Sequence, residues 1–185
     1  MVTMSRGRLS EQRRWIGEVE LIDWNDSAQI DAVRSNLRVP VPMNVTWCWN
    51  YDSEVAELRS LYIKGKRSQW NADDDIDWSL RVDRDEWMLS PSSSLLATAC
   101  KMAGKDESVQ RSAAFDEVAY MLSQLLHGEQ AALQLCGQLT NLCETTDEKW
   151  FAASQVGDEA RHNEVISRLL SEKIGTLYPV GATVK

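Results

Sequence analysis

The chain has 185 residues, 43% of them hydrophobic, which is enough for one ordinary domain with a substantial core. Its net charge of −8, with Lys64, Lys66 and Arg67 as the one short basic cluster, argues against the phosphate-neutralising surface of a nucleic-acid binder. No run approaches the ~20 apolar residues of a membrane span, and the arginines of residues 1–10 precede no apolar segment, so neither an anchor nor a signal peptide is expected and the expected location is cytoplasmic.

Residues 1 to 91 hold seven of the eight tryptophans (Trp15, Trp24, Trp47, Trp49, Trp70, Trp78 and Trp87) and three of the four prolines, the texture of an irregular extension. Within it Val45, Trp47, Trp49 and Tyr51 alternate as in a short strand or extended segment. Val55, Leu58, Leu61 and Tyr62 then recur at helical spacing behind Ser53 as cap, which predicts a helix over 53 to 66. The aspartate-rich run Asn71 to Asp77 lacks the glycine and closing glutamate of a calcium loop, and reads as a solvated loop pinned by Trp70 and Trp78.

From residue 92 to 185 the pattern turns helical. Ser94 caps the apolar run Leu95 to Met102, which stops at Gly104. A stripe from Val109 through Phe115, Leu122, Leu126, Leu133 and Leu139 continues to about Cys143, a helix on the order of 50 Å long at ~1.5 Å per residue. Thr145 and Glu148 form a capping box that opens another helix, whose stripe runs through Trp150, Val156, Ile166 and Leu170 until Gly175 and Pro179 end it. So short a link makes the two long helices adjacent and antiparallel, an αα-hairpin in an all-α fold. The four cysteines, Cys48, Cys100, Cys136 and Cys143, lack C-x-x-C spacing, lie in apolar stretches and are expected to be reduced and buried.

Folding that hairpin about a turn near Glu144 brings Glu129 level with Glu159. His162 lies three residues beyond Glu159, about 60° around the helix and ~4.5 Å along it, so one cation is within reach of both. Glu129 interrupts the stripe Leu122, Leu125, Leu126, Ala132, Leu133, Cys136, where an unpaired carboxylate would cost several kcal/mol. Taken singly, each residue has an ordinary explanation: Glu129 paired with Arg161 or Lys149 or turned to solvent, His162 hydrogen-bonded in the core. Three polar intrusions at one depth favour a shared metal. A carboxylate-rich set with a single imidazole suits iron, with manganese next, over zinc. His127, two residues before Glu129, points roughly 200° away and is not a co-ligand; Gly128 permits either close helix approach or local widening, or is simply tolerated.

The strings "LLHGEQAAL" and "QVGDEARHNEVISRLL", within residues 120 to 175, resemble the ferritin-like di-iron carboxylate superfamily. The likeness is nearest its oxygenase side: bacterial multicomponent monooxygenase large subunits, ribonucleotide reductase small subunits and arylamine N-oxygenases. The resemblance implies a ferritin-like helical bundle, with Glu129 a terminal metal ligand, Glu159 a bridging carboxylate, His162 the nitrogen ligand, and Asp158 and Arg161 orienting these ligands by hydrogen bonds. It also implies O2 and a small organic substrate as partners of a non-haem di-iron oxidoreductase. Complete members carry a Glu and a Glu-x-x-His from each of two helix pairs, whereas this sequence has one such set and ends 23 residues after His162. The expectation is therefore a half bundle: a truncated or split oxygenase, a chain completed by a complementary half-bundle, or a homodimer sharing its site as encapsulated ferritins do. Ferroxidase-type iron binding and a metal-free structural or interaction half-bundle are the alternative functions.

Overall fold

The computed structural model describes Ala28 and residues 43–180. Trp15, Trp24, residues 1–10 and residues 181–185 of the tail lie outside the described residues. The described residues are mostly helical and form no strand, as an all-α reading expects. None of their helices is long and apolar enough to cross a membrane.

Within residues 43–180 the α-helices are, in chain order, α1 (Ala56–Arg67), α2 (Ala72–Asp75), α3 (Leu95–Met102), α4 (Glu107–Leu142) and α5 (Thr146–Arg168), the last running on into a π-helical segment, Leu169–Ile174. Helices α4 and α5 pack along each other as the antiparallel hairpin. The turn between them is closed by the capping box. Glu148 Oε2 accepts from Thr145 N at 2.8 Å and Glu144 N at 3.0 Å, while Thr145 Oγ1 accepts from Glu148 N. Lys149 Nζ donates to Thr140 O at 2.9 Å, tying the start of α5 to the end of α4.

Helix α3 is capped by Ser94, whose Oγ accepts from Ala97 N at 2.9 Å, and it stops at Gly104, where φ of +70° favours glycine. Glu117 of α4 accepts from Ser94 Oγ and from the amides of Leu95 and Leu96, so the start of α3 is bound to α4. Beyond α5, Gly175 takes φ of +74° and its N–H reaches Leu170 O at 2.7 Å, ending the helix where the sequence places the stop. The π-helical winding before it has no counterpart in the sequence pattern. It turns Leu170, Ile174, Leu177 and Tyr178 onto Phe115, Ala119 and Leu126 of α4, and these residues form the main core.

Three local expectations need correction. Ser53 does not cap α1, whose N-cap is Val55; Ser53 instead joins the amides of Glu54 and Val55 in donating to Asp147 Oδ2 of α5, at 3.2, 2.8 and 2.8 Å. The run Asn71 to Asp77 is not all loop. Asn71 Oδ1 accepts from Asp73 N at 3.0 Å and starts the short α2, while Trp78 Nε1 donates to Ala72 O at 2.7 Å. Residues 43–51 form no strand: Thr46 N bonds to Asn141 O and Thr146 Oγ1 to Asn50 O at the hairpin turn, and Trp47 and Trp49 stay exposed.

The Trp-rich region is thus laid against the hairpin. Arg161 and Arg168 of α5 cover the rings of Trp70 and Trp78 at 5.7 and 4.1 Å, and Arg59 of α1 covers Trp150 at 4.4 Å while pairing with Asp147. Each such contact contributes on the order of 0.5–2 kcal/mol. The cysteines are free thiols but only partly buried, because Cys48 and Cys143 sit at the turn and Cys100 and Cys136 lie at the edge of the packed faces.

Leu170 is fully buried, so Leu170→Ala should cost about 2–5 kcal/mol in urea unfolding. Burial pushes the Asp147 carboxyl up, but the Val55 amide, the Arg59 guanidinium and the Glu54 amide outweigh it and hold it below its usual 3.8. Its stabilisation is present above that value and lost as pH falls through the lowered one. Asp147→Asn should therefore lower Tm at pH 7, with the gap to the unmodified protein closing in strong acid.

Candidate metal centre

Glu129 lies in the middle of α4 and Glu159 and His162 on α5, and the hairpin turn makes them level. His162 Nδ1 is 3.2 Å from Glu129 Oε2 and 3.4 Å from Glu159 Oε2. One donor atom from each residue falls within 4.8 Å of the others, a separation that a single cation can span.

The alternative partners of Glu129 are engaged elsewhere. Arg161 pairs with Asp158 and lies over Trp70, and Lys149 bonds to Thr140 O. Glu129 therefore faces a second carboxylate with one imidazole between them. The Glu159 carboxyl is pushed up, first by its hydrogen bond with Glu129 and then by burial, partly offset by His162. Two carboxylates this close share a proton or need a cation. As a donor set, two carboxylates and one imidazole fit iron or manganese, and the Glu159–His162 spacing on one helix face fits their joint ligation.

The cluster is more open than the sequence implies. The side chains of Glu129 and Glu159 are 19% and 18% exposed and that of His162 is 45% exposed, because α4 and α5 cover only one side of them. Asp158 and Arg161 bond to each other rather than to the ligands, so the orienting role implied by the resemblance is not formed among the described residues. His127 is turned away, with Nε2 2.9 Å from Tyr178 O. A Cβ at Gly128 meets nothing within 4 Å and α4 stays regular there, so neither close approach nor widening occurs and the glycine is simply accommodated.

Sequence reasoning missed Cys136, one of the stripe residues, as a neighbour of the cluster. Burial and the negative charge of Glu159 push its thiol up, which keeps it protonated. Its position seven residues, two helical turns, after Glu129 was the available signal. Asn163, beside His162, donates from Nδ2 to Leu126 O at 3.4 Å and ties α5 to α4 next to the ligands.

Comparison of the chain with protein-family models, with curated proteins and with solved structures gave no match.

Because the facing carboxylates oppose each other when both are ionised, Glu129→Gln should raise the Tm of the metal-free protein at neutral pH. A carboxyl raised in the folded state stabilises it at acid pH and loses that benefit as pH rises through the folded value. The advantage of the variant should accordingly shrink as pH falls through that raised value and be lost below the usual 4.5, in a series of thermal melts.

Proposed function

We propose that this chain supplies one half of a carboxylate-bridged two-iron centre in a non-haem oxidoreductase that activates O2 to oxygenate a small organic substrate. The observation that carries this reading is the convergence of Glu129, Glu159 and His162 from two helices, with donor atoms within 4.8 Å and, among the described residues, no cationic side chain between them. Glu129 and His162 would hold a metal from opposite helices, and Glu159, 3.4 Å from His162 Nδ1, would supply a further carboxylate donor. Bound there, iron supplies the redox chemistry that O2 activation requires and that amino-acid side chains lack.

The chain's own residues have separable tasks. Glu129 and Glu159 neutralise positive charge and provide oxygen donors, while His162 adds one nitrogen donor. Leu122, Leu126 and Ile166 line the adjoining core and limit water on the covered side. The tie from Asn163 to Leu126 O keeps the two ligand-bearing helices in register. The ferritin-like bundle is part of the same proposal, since a hairpin bearing one Glu and one Glu-x-x-His is half of that arrangement.

A second reading, ferroxidase-type iron binding, is favoured by the 45% exposure of His162, which leaves an open path to the ligands. Iron oxidised well beyond stoichiometric loading would select it over oxygenation.

Metal analysis of protein loaded anaerobically with Fe(II) tests the ligand assignment. About one iron per chain is expected, with Glu159→Ala losing most of it at unchanged helix content and His127→Ala keeping it. Full iron content in Glu159→Ala would reject the assignment, and loss of iron in His127→Ala would show that the wrong face of α4 was chosen.

A further inference from the structure

Charge is almost absent from the C-terminal two thirds of α4. Between residues 118 and 142 the only formally charged side chain is Glu129, and the histidine of that run, His127, is bonded to Tyr178 O. Yet much of the run faces outward: Tyr120, Met121, Leu125, Leu135, Leu139 and Leu142 are each between 43% and 57% exposed. A helix face meant for water ordinarily carries lysines and glutamates, so one this apolar marks a contact surface.

That surface adjoins the ligands. Met121, Leu125 and Leu139 lie within ~80° of Glu129 around the helix. Leu89, Val118, Met121, Leu122 and Leu125 line an open apolar groove a turn or two before it. The uncovered side of Glu129 and His162 is thus continuous with the uncovered apolar face of α4.

We propose that a second copy of this chain covers this face, packing hairpin against hairpin about a two-fold axis at the level of Glu129, so that Glu129, Glu159 and His162 of both copies face one another and complete the metal centre. The completion of the centre rests on the metal reading above; the pairing of the faces stands on exposure and charge alone. Charge selects the occupant. In a two-fold interface groups near the axis meet their own copies, so like charges there oppose one another, and a chain of net charge −8 pairs most readily through a patch nearly free of them. The run 118 to 142 meets that condition, and its one exception is the carboxylate cluster that itself calls for a cation.

The test is the mass of the full chain in solution, by light scattering, with and without iron. The expected mass is twice the 21.0 kDa chain even without metal. Met121→Glu and Leu139→Glu, eight and ten residues from Glu129, should each weaken the dimer at least tenfold at unchanged helix content, whereas Glu129→Gln should keep the dimer and lower bound iron. An unmodified protein that is monomeric with and without iron overturns the proposal. If Met121→Glu then lowers the monomer's Tm, residues 1–42 of the same chain cover the face; if it does not, the face belongs to a different partner. A dimer that takes up no iron keeps the interface and rejects the metal reading, while a monomer that binds iron does the reverse.

Discussion

The turn between α4 and α5 sets the position of everything that bears on function. Its capping box binds the amides of Glu144, Thr145 and Glu148 within a few residues of the end of α4, so there is no slack through which one helix can slide along the other. With the turn closed at Thr145, the level of every residue pair across the hairpin is fixed by counting, and Glu129 meets Glu159 and His162. A longer or looser link would leave the same three residues on the same helices without bringing their donor atoms together.

A second constraint holds the N-terminal part of the chain to that hairpin. The buried Asp147 serves two helices at once: it sits in the first turn of α5, where its charge suits the helix dipole, and it accepts the amides that open α1. Arg161 and Arg168 continue the attachment along α5 through Trp70 and Trp78. Lys173 adds a bond to Trp78 O, and Arg168 also pairs with Asp73 of α2. Tryptophans that look like an irregular extension in the sequence are therefore the means by which this region is fastened down, and the outer side of α5 is occupied by them while the outer face of α4 is left bare among the described residues.

Helices and their ends were legible in the sequence wherever a local signal decides them. Ser94, Gly104, the Thr145–Glu148 pair and Gly175 each act within a few residues, and each marks an end in the structure. The level of Glu129 with Glu159 was legible for the same reason, since it depends only on helical rise and the turn. What sequence reasoning could not supply depends on distant partners. Asp147 displaces Ser53 as the acceptor at the start of α1 from 92 residues along the chain, and Arg161, expected beside the ligands, is drawn instead to Asp158 and Trp70. The openness of His162 was also unreadable, because apolar periodicity tells which face of a helix seeks cover but not whether this chain provides it.

The π-helical stretch after α5 makes the winding of the backbone decisive at the base of the core. Its wider winding accommodates one residue more than an ordinary helical turn while keeping the axis in place. Wound as a regular α-helix, the same six residues would rotate the chain beyond them by ~100°. Ile174, Leu177 and Tyr178 would then present solvent-facing edges where they now fill the interior. Shortening that span by one residue, which restores the regular winding, would by contrast keep the facing of the chain beyond it.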